Sequence, residues 1–460
     1  MIEPTVPSPN AATRSDAIPF ATAARMWLKV GLMSFGGPAG QIATMHRLLV
    51  EEHKWVSESR FLHALNYCML LPGPEAQQLA TYLGWLLHKT RGGLVAGTLF
   101  VLPGALVMLG LSILYAGFQD VTVVAAIFYG IKAAVLAVVV EALVRIGRRA
   151  LKNAAMYALA ATAFIAIFFF EIPFPLIVAA AAAIGFAGAR AAPSLFLPAS
   201  GSGRNDTATI DAAFAAGGLE HTRPSVSRAL KVLLIWGTLW IAPLIALAAF
   251  LGAEHVFVEE GIFFSKMAVV TFGGAYAVLA YVAQQAVETH GWLETGEMLD
   301  GLGLAETTPG PLILVLQFVG FLAAYRNPGT LDPMTAGILG AALTTYVTFV
   351  PCFLWIFLGA PFIESLRGNK SLAGALTAIT AAVVGVILNL VVWFAVHVMF
   401  AKVGEMRLGA IRLLVPDWAS LDWNIAVLAV AAAVAILRYH VNVMLVLAAA
   451  ACIGAALYYI

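Results

Sequence analysis

Charge is what this sequence has least of. Of its 460 residues, 11% are Asp, Glu, Lys or Arg, while 61% are hydrophobic. A water-soluble chain of this length carries about twice that density of charge to cover itself. A soluble domain is therefore excluded, and the bilayer is the solvent. Lys and Arg number 26 against 25 Asp and Glu, a net charge of +1, so there is no basic field to recruit nucleic acid. Cysteine is scarce as well: Cys68, Cys352 and Cys452 stand far apart in apolar stretches without CxxC or zinc spacing, which reads as buried thiols and argues against disulfides and metal. There is no HExxH and no GxSxG. Glu51-Glu52-His53 reads as a solvated loop rather than an acid–histidine cluster, so neither an enzyme nor a cofactor is expected. Spanning strands would alternate over about ten residues, a pattern the sequence also lacks.

What is present is a succession of apolar stretches of membrane-spanning length. Residues 1–19 are polar and Pro-rich and read as a cytoplasmic tail, not a cleavable signal. From Phe20 the spacing predicts an all-α polytopic membrane protein with about thirteen spans, at 20–52, 61–90, 93–117, 121–145, 151–170, 173–190, 231–252, 258–287, 304–325, 334–361, 371–400, 423–437 and 440–459. Lys89 and Arg91, then Arg145, Arg148, Arg149 and Lys152, then Arg204, Arg223 and Arg228 collect in loops that should face the cytoplasm. Loop 117–120 has no Lys or Arg, and loop 253–261 has Glu254, Glu259 and Glu260 instead; both should face outward. The N-terminus is then inside.

The chain repeats itself. A shift of 237 residues lays Lys29-Val-Gly-Leu-Met-Ser-Phe-Gly-Gly37 on Lys266-Met-Ala-Val-Val-Thr-Phe-Gly-Gly274, and without a gap pairs His53 and Trp55 with His290 and Trp292. It also pairs Pro72-Gly73-Pro74 with Pro309-Gly310-Pro311. Membrane composition supplies chance Leu and Ala matches, but not co-linear FGG, HxW and PGP. Residues 191–230 form the long polar Gly/Ser/Pro-containing interior stretch, so they read as a cytoplasmic linker between an N-terminal repeat, 20–190, and a C-terminal repeat, 231–460. The two FGG helices are seven spans apart, an odd number, which inverts the second repeat. Inverted repeats suit alternating access, because exchanging their conformations turns an inward-open site outward.

The repeated residues interrupt helices. Gly36 and Gly37 weaken the first helix midway and Pro38 removes a donor; Gly273 and Gly274 recur, but Ala275 replaces the proline. Each PGP cannot be helix interior, yet suits the first turn of a helix restarting at Glu75 or Leu312. Broken backbone at membrane depth survives only against protein or a water-filled cavity. Each restart exposes N–H groups and about half a unit of positive charge. Four termini near 36–39, 72–75, 273–276 and 309–312 would together suit a tetrahedral oxyanion, with Ser34 and Thr271, and the flanking Phe35 and Phe272, beside the breaks. The bland alternative is that glycines merely let helices pack closely and prolines merely kink them.

Lys29 and Lys266, seven residues before each glycine pair, either face that site or snorkel to the interface. Lys132 is a further cation, unmatched in the other half, with Glu141 poorly placed to pair with it. For proton coupling, Glu75 and Glu306 flank the PGP turns, though they are not repeat equivalents. His53 and His290 are equivalent and titrate near neutrality, but beside Trp55 and Trp292 they read as interfacial caps and belt residues.

Together the FGG, the HKW or HGW segment and the PGP, recurring in both halves over 20–190 and 231–459, resemble the long-chain chromate ion transporter family. The resemblance implies a two-repeat helical protein of the bacterial inner membrane that expels chromate, driven by the proton gradient. It puts Phe35, Gly36, Gly37, Pro72, Gly73, Pro74, Phe272, Gly273, Gly274, Pro309, Gly310 and Pro311 at functional positions. A sulfate or other oxyanion transporter, and an anion channel built on the same broken helices, are the alternatives. The expected partners are chromate or sulfate, protons and membrane lipid, and the sequence is compatible with a homodimer.

Overall fold

The computed structural model describes residues 18–35, 37–118, 121–197, 224–272, 275–362 and 369–458. The tail and most of the 191–230 linker lie outside the described residues. The first half holds α1 (Phe20–Met33), α2 (Gly37–His46), a π turn Arg47–Glu52, α3 (Glu58–Cys68), α4 (Glu75–Phe118), α5 (Thr122–Ala150), α6 (Ala154–Phe170), α7 (Phe174–Ala191) and the short α8 (Pro193–Phe196). The second holds α9 (Val226–Leu251), α10 (Val256–Val270), α11 (Ala275–Gln284), a π turn Gln285–Thr289, α12 (Thr295–Thr307), a 3-10 turn Leu312–Leu314 and α13 (Val315–Arg326). It continues with α14 (Pro333–Gly359), α15 (Lys370–Met399), α16 (Trp423–Tyr439) and α17 (Val443–Tyr458). Between α15 and α16 an antiparallel hairpin pairs β1 (Val403–Leu408) with β2 (Ile411–Pro416) through Gly409, where φ is +63°. The all-α expectation did not include it.

Local chemistry explains where these helices start. Ser57 caps α3 by accepting from the Arg60 amide, Asn153 caps α6, Asp332 caps α14 with Pro333 at its first position, and Asp422 caps α16. Between caps the sequence is Ala, Leu, Val and Ile, which in lipid must satisfy its backbone within the helix. Small residues set the closest approaches: Gly185 packs on the Gly374 carbonyl and Gly130 on Ala450 and Gly454. Helix α13 is buried from Val315 to Ala324, whereas α9 buries only Leu244 and lies at the periphery.

Among the described residues, six helices are long and apolar enough to cross a membrane, and four shorter apolar helices accompany them. The thirteen stretches expected from hydropathy do not map one to one onto these helices, because several of them are divided. Residues 20–52 are divided into α1 and α2, and 258–287 into α10 and α11. The stretch 61–90 is divided by the PGP turn, and α4 itself reverses at His88 and Lys89, where φ and ψ leave the helical region. There His88 Nε2 lies 2.8 Å from the Ile18 carbonyl, so the chain has come back to the start of α1. In the second half Gly329, just after α13, sits beside His255 at the start of α10. Glu259, expected in an outward loop, lies in α10, and so does Glu260, which is fully buried.

Candidate functional site

Helix α1 stops at Ser34, whose ψ of 77° leaves the helical region, and α10 stops at Thr271 with ψ of 88°. The two stops are alike bond for bond. The Ser34 hydroxyl donates back to Val30 O at 2.6 Å and the Thr271 hydroxyl to Met267 O at 2.5 Å. The Phe35 amide reaches Met33 O and the Phe272 amide Val270 O. The offset holds through the π turns: His53 to Leu48 and Trp55 to Leu49 in the first half match His290 to Gln285 and Trp292 to Ala286 in the second. Gly37 restarts the first chain at φ +70°. Gly36, Gly273 and Gly274 lie outside the described residues.

The PGP turns meet these stops across the halves. The Gly73 amide donates to Thr271 O at 2.8 Å, and the Gly310 amide donates to Ser34 O at 2.8 Å. Each half's PGP thus satisfies a helix-end carbonyl that the other half's break leaves open. Both glycines hold positive φ, +122° at Gly73 and +91° at Gly310, a conformation that other residues adopt only with strain. Side-chain amides finish the turns: Gln78 Nε2 donates to Pro72 O at 2.7 Å and Gln41 Nε2 to Gly310 O at 2.6 Å.

The structure therefore brings together Ser34 with Gly310, and Thr271 with Gly73. It also spends donors that an anion was expected to receive, since the two glycine amides and the two hydroxyls are engaged within the protein. In α4 the first intrahelical bond runs from Gln78 N to Pro74 O. The amides of Glu75, Ala76 and Gln77 precede it and head the helix. Pro74, Pro309 and Pro311 are buried, Pro72 and Phe272 half-buried, and Phe35 is 41% exposed. Lys29 and Lys266 are both exposed on their helices.

Glu306 is buried and accepts from the Tyr276 hydroxyl at 2.6 Å, while Glu75 is half-buried. Arg145 and Arg149, one turn apart on α5, lie within electrostatic reach of Glu306 and Glu75 respectively. The loop expected at 145–152 is helix through Ala150, so both arginines stand on α5. Gln41, Gln78 and Tyr276 also belong to these turns, though no spacing in the sequence singles them out. Lys132 finds its partner 3.4 Å away in Asp300, not Glu141, which pairs with Arg145. A lone cation within an apolar helix signalled that Lys132 has a partner, but nothing local named Asp300, which stands in a polar segment. Trp55 and Trp292 are buried rather than lining a lipid belt, and His290 stacks on Trp292 at 4.2 Å between ring centres. Of the thiols, Cys68 and Cys352 are buried as expected, but Cys452 is exposed.

Comparison with known proteins decides the lineage. The chromate transporter family profile matches residues 21–186 and 258–455, skipping the linker and α9. The chain belongs to the chromate transporter family. A chromate transport protein of Pseudomonas aeruginosa is 35% identical over 366 residues, covering 78% of this chain and 77% of that protein. A chromate transport protein of Cupriavidus metallidurans is 27% identical over 401 residues, 86% of this chain and 88% of its own. A Bacillus subtilis protein named "Uncharacterized transporter YwrB" is 33% identical over 93 residues, which is 20% of this chain but 47% of that protein. That relative is thus less than half as long. No solved structure matches. Members of the family are transport proteins, so this chain is a membrane transport protein and not an enzyme.

Proposed function

We propose that the chain is a secondary transporter that exports chromate from the cytoplasm across the inner membrane, coupled to the proton gradient by alternating access. The observation that carries this reading is the reciprocal pair of hydrogen bonds, Gly73 to Thr271 and Gly310 to Ser34, which ties two like units at their breaks. Two units tied so can exchange conformations only together.

The contacts support an inverted arrangement in which FGG and PGP segments are re-entrant. In the first half, α1 with α2 and α3 with the first arm of α4 enter from the cytoplasmic side and return to it, since residue 88 meets residue 18. In the second half, α10 with α11 and α12 with α13 do the same from the outside: His290 lies 4.0 Å from Glu259, and Arg326 donates to the Trp292 carbonyl. Full crossings are then the second arm of α4, α5, α6, α7, α9, α14, α15, α16 and α17. An odd number of them separates the two re-entrant units, so the second is upside down relative to the first and the N-terminus is cytoplasmic.

On this reading chromate sits among the helix starts at α2, α4, α11 and α13, drawn by their amides and by Arg145 and Arg149. Lys29 and Lys266 supply cations along the approach, and Glu75 and Glu306 carry protons beside the PGP turns. The test is chromate flux in proteoliposomes holding the purified protein. An imposed pH gradient should drive net chromate movement, and flux indifferent to every imposed gradient rejects the reading. Single-channel currents of picoampere scale would favour a channel instead.

A further inference from the structure

A cavity of about 470 Å³ lies away from the PGP turns, between the ends of α4, α15 and α17, the starts of α5, α12 and α16, and Arg326 at the end of α13. Asp300 projects into it from α12 and is 3% exposed. One carboxylate oxygen, Oδ2, accepts from the Tyr115 hydroxyl at 2.8 Å and lies 3.4 Å from Lys132 Nζ. The other, Oδ1, is buried without a hydrogen-bond partner among the described residues. A buried carboxylate oxygen left open beside a polar cavity is an uncompensated acceptor, and the cavity is large enough to hold water against it.

The other charged groups here leave Asp300 as the group free to change state. Glu297, also on α12, is held by Arg326 of α13 in a two-pronged pair at 2.5 and 2.7 Å. His397 of α15 is turned back onto the Trp393 carbonyl, and Tyr129 of α5 donates to Asp422 of α16. Glu294 is exposed at the rim, within electrostatic reach of Arg326. With acids outnumbering bases, the cavity is not built to hold an oxyanion. We propose that Asp300 is the group that exchanges protons with the external medium during transport, with Lys132 matching its charge whenever the proton is absent. A cavity water delivers the proton to Oδ1, forming a neutral carboxyl group and leaving Lys132 an unpaired ammonium; release reverses both. A charge pair that is made and broken in this way is a two-state element of the kind a coupled carrier needs.

This rests on the proton-coupled reading above, and the test separates the two. In proteoliposomes, chromate flux driven by a pH gradient is measured alongside chromate exchange at equal concentrations with no gradient. If the wild-type chain does not respond to the pH gradient, or responds to a sodium gradient instead, the coupling itself fails. If it responds, Asp300→Asn should cut driven flux by roughly a hundredfold, the low end for a positioned proton carrier, while exchange stays within about twofold. Driven flux unchanged in Asp300→Asn overturns the proposal. So does loss of both fluxes, which would place Asp300 in the substrate path. Because Asp300→Asn leaves the half-buried Lys132 ammonium without its carboxylate, the neutral pair Lys132→Gln with Asp300→Asn is measured in parallel and should show the same split.

Discussion

At the scale of single residues, the two PGP glycines differ in what surrounds them. An added Cβ at Gly73 would stand 2.9 Å from both Cys352 Sγ and Gln78 Nε2, whereas at Gly310 the nearest atoms are 3.4 Å away. Both positions carry a positive φ, which costs a side-chain-bearing residue about 1–2 kcal/mol. Gly73→Ala must also push aside the amide that seals Pro72. We therefore expect Gly310→Ala to lose about 1–2 kcal/mol of stability and Gly73→Ala about 3 kcal/mol, read as loss of thermal stability in detergent. Equal losses would mean that the backbone angle alone matters. Arg412 is the corresponding charged case. It is 7% exposed and gathers Glu288 at 2.9 Å, Glu171 at 3.1 Å and Glu405 at 3.3 Å. Burial would raise the Glu288 carboxyl, but the bonds and charge of Arg412, with bonds from Trp393 and Gln284, hold it below the ordinary carboxylate range. A folded carboxyl that gives up its proton more readily than the unfolded one stabilises fully above the ordinary value of about 4.3. That contribution disappears as pH falls through the lower folded value. The β-hairpin should therefore stay docked at neutral pH and loosen in acid. Arg412→Gln should weaken docking by about 3 kcal/mol, the low end for a broken buried pair because Glu171 and Glu405 are about a third exposed. It should also move the acid midpoint upward, read as hydrogen exchange of the 403–416 amides.

At the scale of elements, interruption was legible and direction was not. Gly and Pro act locally, so FGG and PGP declare a break wherever they stand, and helices do end at Met33, Cys68, Val270 and Thr307. Hydropathy measures length without sign, so the 33-residue, largely apolar stretch from 20 to 52 reads the same crossing the bilayer or doubling back. The contact on which the re-entrant reading rests, His88 to Ile18, spans 70 residues. Lys132 and Asp300, and Arg412 and Glu288, were hidden for the same reason, since no local pattern announces a partner more than a hundred residues away. The hairpin at 403–416 consists of two six-residue strands, too short to register as membrane-spanning strands. Re-entrance makes a prediction that the thirteen-span reading reverses. Single cysteines in the turn 53–57 should be labelled from the cytoplasm, and those at 290–294 from outside. Thirteen spans would exchange the two sides, so relative labelling tests only inversion, while absolute labelling with an impermeant maleimide tests re-entrance.

At the scale of the whole molecule, the candidate site is where the two halves meet through backbone more than side chains. The cross-braces consume the glycine amides and both hydroxyls, so the proposed reading leaves helix starts and the charges of Arg145 and Arg149 to attract a ligand. On that reading the site would recognise charge and oxygen geometry, and none of the described residues named there tells chromium from sulfur. Chromate and sulfate are both tetrahedral dianions offering four acceptor oxygens, so discrimination must come from a small difference in size, which binding converts poorly into selectivity. Sulfate should therefore inhibit chromate flux with a half-inhibition within about tenfold of the half-saturation for chromate. Chloride, with one charge and no fork of oxygens for several amides, should be weaker by about a further tenfold or more. The check is competition in the same proteoliposomes, with external pH and ionic strength held constant because helix-end fields are screened by salt. A chromate flux indifferent to about a hundredfold excess of sulfate would demand a selective side chain. The exposed Lys29 and Lys266 would then be the first to be replaced.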